Sequence, residues 1–211
     1  MAAPVKKTPS RRREQADASR RTVLAAAREA FIEQGYHGAT MADIAQRSGF
    51  AVQTVSYFFG TKPRLMSQLI RTSIEDALAE AGAEDPEQWM GITRATTAQE
   101  LVDSFVAAGH DILVAVAPLM DVARVGSLTD PEVAEVYEFH EAWRRRDYTA
   151  VVEALQALGG LREGLTIEDA IDITLTLFGP DVYRALLVDQ AWSPGALRDW
   201  TRDALVRQLL G

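Results

Sequence analysis

Gln53, Thr54, Ser56 and Tyr57 crowd into one short stretch in which Val55 and Phe58 are the apolar anchors. On a helix whose Val55 and Phe58 turn inward, the other four place an amide, two hydroxyls and a phenol near the helix start and along its outer side. Groups of this kind pair with base edges and thymine methyls in the major groove of duplex DNA. Two further positions extend the pattern. Lys62 falls at a helix start, where a cation opposes the helix dipole, a placement that makes sense if the ammonium and the free backbone N–H groups together hold a phosphate. Thr40 offers a similar anion site at the start of the preceding helix. Catalysis has no comparable support, because the sequence pairs no nucleophile with a base and has no phosphate-cradling glycine loop. His110 and His140 lack a partner at i+3 or i+4 and there is no Cys, so no metal or other cofactor is expected.

The elements that must position these groups are helical. Val23, Leu24, Ala27, Ala30 and Phe31 form one apolar stripe from Ser19 to a stop at Gly35. Thr40 with Asp43 reads as a capping box opening a second helix. Gly49 suits the positive φ of a three- or four-residue turn, and a third helix runs from about Val52 to Phe59. Ile44, Phe50, Val55 and Phe58 supply the apolar contacts, and Ala45 is small enough for one helix to cross another. Thr61 caps a fourth helix, with Leu65, Met66, Leu69, Ile70, Ile74, Ala77 and Leu78 at helical spacing.

The predicted organisation is a flexible basic arm over 1–18, a helix-turn-helix domain with its connecting helix over 19–81, and a helical domain over 98–211. Gly82 to Thr97, with Asp85-Pro86 and Gly91, is the boundary. Helices are expected at about 98–116, 119–127, 131–158, 167–190 and 194–210, punctuated by Pro118, Asp130-Pro131, Gly159-Gly160 and Ser193-Pro194; Gly179-Pro180 marks a kink or a helix start. With no convincing strand, the fold class is all-α.

Charge is divided along the chain. The net charge of −8 conceals 12 Lys/Arg against 5 Asp/Glu in residues 1–72 and 10 against 25 in the rest. Only the first part is suited to phosphate. The absence of Cys fits a reducing compartment, no apolar run approaches the roughly 18 residues of a membrane span, and the basic N-terminus lacks the apolar core of a secretory signal. A cytoplasmic protein with no membrane partner is the expectation.

Gly35-Tyr36, Thr40, Asp43-Ile44-Ala45, Gly49, Thr54, Phe58-Phe59 and Thr61-Lys62 stand in the register of a known pattern. The segment from Arg21 to Ile70 resembles the DNA-binding domain of the TetR family of bacterial transcriptional regulators. Three positions depart from it. Ala51 stands where a capping Ser is common, a change that costs about 1 kcal/mol of local stability. Ser56 and Phe58 stand where ring groups often contact phosphate, which moves that role to Tyr57. More loosely, residues 179–211 resemble the last two helices through which these regulators dimerise.

The resemblance implies a dimer interface and a ligand cavity in residues 98–211. Ile171, Leu175, Val182, Leu186, Leu197, Trp200, Leu205 and Leu209 are the apolar positions from which two helices of each subunit would close a four-helix bundle. Phe105, His110, Met120, Phe139, His140, Trp143, Phe178 and Tyr183 are the candidate pocket residues. The Trp143-Arg144-Arg145-Arg146 run reads as a solvated helix face. The implied function is a dimeric repressor that binds a palindromic operator in double-stranded DNA and is released by a small-molecule effector. An activator or ligand-independent regulator on the same scaffold, and a helical enzyme or carrier, are the alternatives.

Overall fold

The structure is a computed structural model and describes residues 11–80 and 94–211. These residues form helices; among them the only β pairing is an isolated bridge between Leu161 and Leu210. The chain divides into two compact units, one ending at Leu69 and one beginning at Ile70. The division falls inside a helix, earlier than the expected boundary after residue 81; most of that boundary, 81–93, lies outside the described residues.

In the first unit, α1 spans Arg11–Gly38, α2 Met41–Ser48 and α3 Val52–Phe59, and α4 begins at Lys62. The arm expected over 1–18 is helical from Arg11 onward, while residues 1–10 lie outside the described residues. Arg, Glu, Gln and Ala dominate residues 11–18, and extending an existing helix through good helix formers needs no new nucleus. The stripe Val23, Leu24, Ala27, Ala30 and Phe31 is buried throughout. Gly35 breaks the helical path with φ 70° and ψ 177°, and the chain folds back so that Tyr36 stacks on Phe31 with ring centres 6.0 Å apart.

Two local devices fix the crossing of α2 and α3. Thr40 Oγ1 accepts from the Asp43 N–H at 3.0 Å, which is half of the expected capping box. The other half is replaced, because the Asp43 carboxylate accepts from Gln34 Nε2 and Arg47 Nε instead. At the far end of α2, Gly49 sits at φ 74° and ψ 14°, and the N–H groups of Gly49 and Phe50 return to the carbonyls of Gln46 and Ala45. That is a Schellman ending, which needs a left-handed residue. Ile44, Ala45, Val55 and Phe59 are buried where the helices meet. The sequence reading placed Phe58 there; Phe58 is only half-buried, and its neighbour Phe59 takes the inner position.

In the second unit, the rest of α4, which ends at Glu80, is followed by α5 (Ala98–Ser127), α6 (Pro131–Ala157), α7 (Ile167–Leu177), α8 (Pro180–Tyr183) and α9 (Pro194–Leu209), with a π-helical segment over Arg184–Asp189. A full capping box of Thr97 and Glu100 opens α5, and Asp130 caps α6 ahead of Pro131. Pro118 does not interrupt α5. Val116, Ala117, Leu119 and Met120 around it are all buried, and that packing outweighs the roughly 3 kcal/mol that an interior proline costs. By length and hydropathy α5 would qualify as a membrane span, contrary to expectation, but half of its most apolar window is buried within the protein. The helix predicted over 167–190 is broken at Phe178-Gly179, and Pro180 starts α8.

This break organises the core. Phe105, Tyr148 and Phe178 pack as an aromatic cluster with centroids 5.1 to 6.0 Å apart. The Tyr148 hydroxyl donates to the Phe178 carbonyl at 2.9 Å, and Arg144 Nη1 donates to the Leu175 carbonyl at 2.8 Å. Two α6 side chains thus satisfy carbonyls that the end of α7 leaves open. Burial pushes the Tyr148 phenol up to about 12, so it remains a donor at neutral pH. At Gly179 an added Cβ would lie 2.5 Å from the Leu175 carbonyl oxygen, which closes the position to other residues.

The core also claims half of the expected dimer positions. Ile171, Leu197, Leu205 and Leu209 are buried within the single chain, packed with Leu101, Phe105 and Val152. Leu175, Val182, Leu186 and Trp200 are only partly buried. The four core residues are therefore corrected from interface to interior, since a side chain covered by its own chain has no surface left for another.

Two substitutions check these assignments. Gly49→Val should destabilise the first unit by about 1–2 kcal/mol, because a β-branched residue resists left-handed backbone. Leu205→Ala should cost the second unit about 2–5 kcal/mol through the cavity it leaves. Denaturant titration followed by circular dichroism measures both.

Candidate nucleic-acid interface and cavity

The face that α3 leaves uncovered carries the groups singled out in the sequence. Gln53 and Ser56 are exposed, Thr54 is half-buried, and Tyr57 projects furthest at 84% exposure. Val55 and Phe59 anchor the opposite side. No side chain caps the start of α3, as the Ala51 substitution implied. Thr40 is exposed at the start of α2, with its hydroxyl oxygen already engaged as the cap. The helix therefore presents an amide, hydroxyls and a phenol outward from a buried hydrophobic seat, which is the arrangement that reads base edges and phosphates.

Lys62 is used otherwise than expected. Its Nζ donates to the carbonyls of Tyr36 and Ala39 at 2.8 and 3.0 Å and lies 4.1 Å from the centre of the Tyr36 ring. The ammonium binds the open carbonyls behind the Gly35 break and ties the start of α4 to the end of α1. These bonds give Lys62 a structural role that the phosphate assignment did not include. Arg47 is likewise engaged by Glu33 at 2.7 Å and Asp43 at 3.0 Å, and hydrogen bonding to Glu33 above all raises its guanidinium. Arg20 is exposed, with its guanidinium 5.4 Å from the Phe58 ring centre, beside the α3 face. Nothing in the sequence sets Arg20 apart from the other basic residues of the N-terminal third; its alignment with α3 follows from the crossing of α1.

The second unit contains a cavity of about 240 Å³. Ile74 and Leu78 of α4, Ile112 and Val116 of α5 and Trp143 of α6 give it mostly apolar walls. Of the candidate pocket residues, Met120, His140 and Trp143 line it. Phe105, Phe178 and Tyr183 belong to the core instead. Phe139 is half exposed, with its ring 5.5 Å from that of Trp143. His110 is buried outside the lining, where burial lowers its imidazole and its Nδ1 has no hydrogen-bond partner among the described residues. Aromatic type alone did not separate core from cavity, because both use it.

The expected solvated run also resolves into separate tasks. Arg144 turns inward to Glu141 and the Leu175 carbonyl. Arg145 pairs with Asp172 and Glu168 on α7, and Arg146 pairs with Asp147 and lies 5.3 Å from the Trp143 ring centre.

A helix seated on a glycine turn, with a polar outer face and a second helix braced behind it, defines a helix-turn-helix DNA-binding unit. Residues 23–69 match the family described as bacterial regulatory proteins, tetR family, and this part of the chain is similar to the DNA-binding unit of those regulators. Solved structures extend the likeness in fold to most of the chain. A putative transcriptional regulator from Saccharomonospora viridis in complex with choline is 16% identical with a TM-score of 0.71, over 92% of this chain and 99% of that one. The regulator FadR from Bacillus subtilis, in complex with stearoyl-CoA, is 21% identical at 0.67, over 88% and 97%. NalD of Pseudomonas aeruginosa, the secondary repressor of the MexAB-OprM multidrug efflux pump, is 17% identical at 0.69, over 93% and 97%. No curated protein matches the sequence.

The Lys62 geometry gives a direct test. Lys62→Met should lower the stability of the first unit by about 2 kcal/mol, through loss of charge-assisted bonds to two carbonyls. The salt dependence of duplex binding, measured on the folded fraction, should stay as in the parent protein; a phosphate contact would reduce the slope by about one.

Proposed function

We propose that the protein is a repressor that binds a palindromic operator as a dimer and releases it when a small molecule occupies the second unit. The observation that carries the DNA reading is the outward polar face of α3, on which Gln53, Ser56 and Tyr57 are exposed over a buried Val55 and Phe59. In this reading Gln53 and Thr54 meet base edges, while Ser56, Tyr57 and Thr40 meet the backbone, and Arg20 adds a phosphate contact from α1. Such a protein works beside the chromosome, in the cytoplasm.

Dimerisation follows from the operator geometry, since two reading helices must span a helical turn of DNA or a multiple of it. Leu175, Val182, Leu186 and Trp200 keep surface available for a partner, and Val188 and Trp192 near them are exposed. Effector release requires only that the ligand prefer a form in which the two α3 helices are wrongly spaced, because affinity can shift by no more than that difference in preference.

Footprinting on the DNA beside the protein's own coding region, followed by titration of that duplex at several salt concentrations, tests the reading. Binding should weaken steeply with salt. Gln53→Ala should relax sequence preference at one base pair per half-site, by about 1–3 kcal/mol. Salt-insensitive binding, or a selected site identical to the parent's in the mutant, would contradict the assignment of α3.

A further inference from the structure

The charged groups around the cavity of the second unit are already matched to one another. Glu141, Arg144, Arg146 and Asp147 all contribute to its lining. Arg144 is held by both carboxylate oxygens of Glu141, at 3.3 and 2.6 Å, and gives its remaining nitrogen to the Leu175 carbonyl at 2.8 Å. Arg146 reaches Asp147 through two bonds of 3.0 and 2.8 Å. Two cations and two anions therefore cancel in pairs, and the rest of the wall is mostly hydrocarbon and indole. Burial is the largest single influence on Arg144 and opposes its charge, but hydrogen bonding to Glu141 and the interactions with Tyr148 and the Glu141 charge together outweigh it and hold the guanidinium above its usual range.

We infer that this cavity selects a neutral, apolar small molecule and discriminates against both carboxylates and ammonium ions; the inference deepens, and rests on, the reading of the second unit as the effector-binding part. A carboxylate seeking Arg144 would have to displace Glu141 and leave that anion beside it, or take the donor from Leu175 and reopen the end of α7. An ammonium ion seeking Glu141 would strand Arg144. Either exchange leaves a largely covered charge without its partner, the two side chains being only 21% and 25% exposed, and that is more costly than leaving the pair intact. Size narrows the class further. An apolar cavity of about 150 Å³ accepts benzene, and drug-sized ligands use about 300–1,000 Å³, so the 240 Å³ here suits a medium-length alkyl chain or a two-ring hydrocarbon skeleton. Phe139 and Trp143, one helical turn apart on α6 and both partly exposed, continue the apolar lining outward.

The test compares 1-octanol, octanoate and octylammonium, equal in chain length, by calorimetric titration of the full chain at neutral pH. Octanol should bind at least tenfold more tightly than either ion. Equal or tighter binding of an ion, or no octanol binding up to its solubility, overturns the inference. Ile112→Trp, at a partly exposed lining position, should abolish octanol binding in a chain whose circular dichroism and melting temperature match the parent's. Ile74→Phe serves the same purpose if the first variant does not fold, and retained octanol affinity in a folded variant places the ligand elsewhere and overturns the assignment. Adding each compound to the protein on its footprinted duplex separates the two readings. Octanol bound without loss of DNA refutes effector release and leaves the ligand class standing, whereas release by octanoate without octanol binding refutes the ligand class and leaves release standing.

Discussion

A helix that ends inside a protein leaves carbonyl oxygens that water no longer reaches, and this chain answers that constraint twice in the same manner. In the first unit, Lys62 supplies donors to the Tyr36 and Ala39 carbonyls. In the second, Arg144 and Tyr148 supply donors to Leu175 and Phe178. In both cases a cation stands at the negative end of a helix and near an aromatic ring, so that charge, hydrogen bonding and ring contact act together. The first arrangement ties α4 to the end of α1, and the second forms part of the cavity wall.

These devices also govern which charges remain to do chemistry. Lys62 and Arg47 count toward the basic excess of the N-terminal third, yet one is spent on carbonyls and the other on Glu33 and Asp43. The basic groups that remain beside α3 include Arg20 of α1, over Phe58, and Arg64 of α4, next to Gly60. In the second unit, the arginine run on α6 divides between a carbonyl, the acids of α7 and its own neighbour. Formal charge along a sequence is thus a poor guide to field at a surface until the partners are known.

What the sequence made legible was local. The turn at Gly49, the cap at Thr40, the stop at Gly35, the start at Pro180 and the outward set on α3 all depend on residues close to one another in the chain, and the all-helical class follows from their periodicity. Positions that depend on distant partners were read less well. Phe58 and Phe59 are adjacent and equally apolar, so only the crossing of three helices decides which turns inward. The bonds of Lys62 to the Tyr36 and Ala39 carbonyls were not legible, because backbone carbonyls leave no mark on a sequence. Leu205 and Leu209 satisfy the pattern of an intermolecular seam and of an intramolecular core equally, since both are dry apolar stripes; burial by α5 and α7 distinguishes them.

The closed space at Gly179 has a use in recognising kin. Because no Cβ fits against the Leu175 carbonyl there, and because Arg144 and Tyr148 are useful only where a helix ends at that point, the four positions Arg144, Tyr148, Gly179 and Pro180 form a set whose members depend on one another. Proteins sharing this α6–α7 clasp should carry an Arg and a Tyr one turn apart and, some thirty residues on, a Gly-Pro pair. Such a signature would sort distant sequences by the construction of this cavity wall, where overall identity has fallen too low to do so.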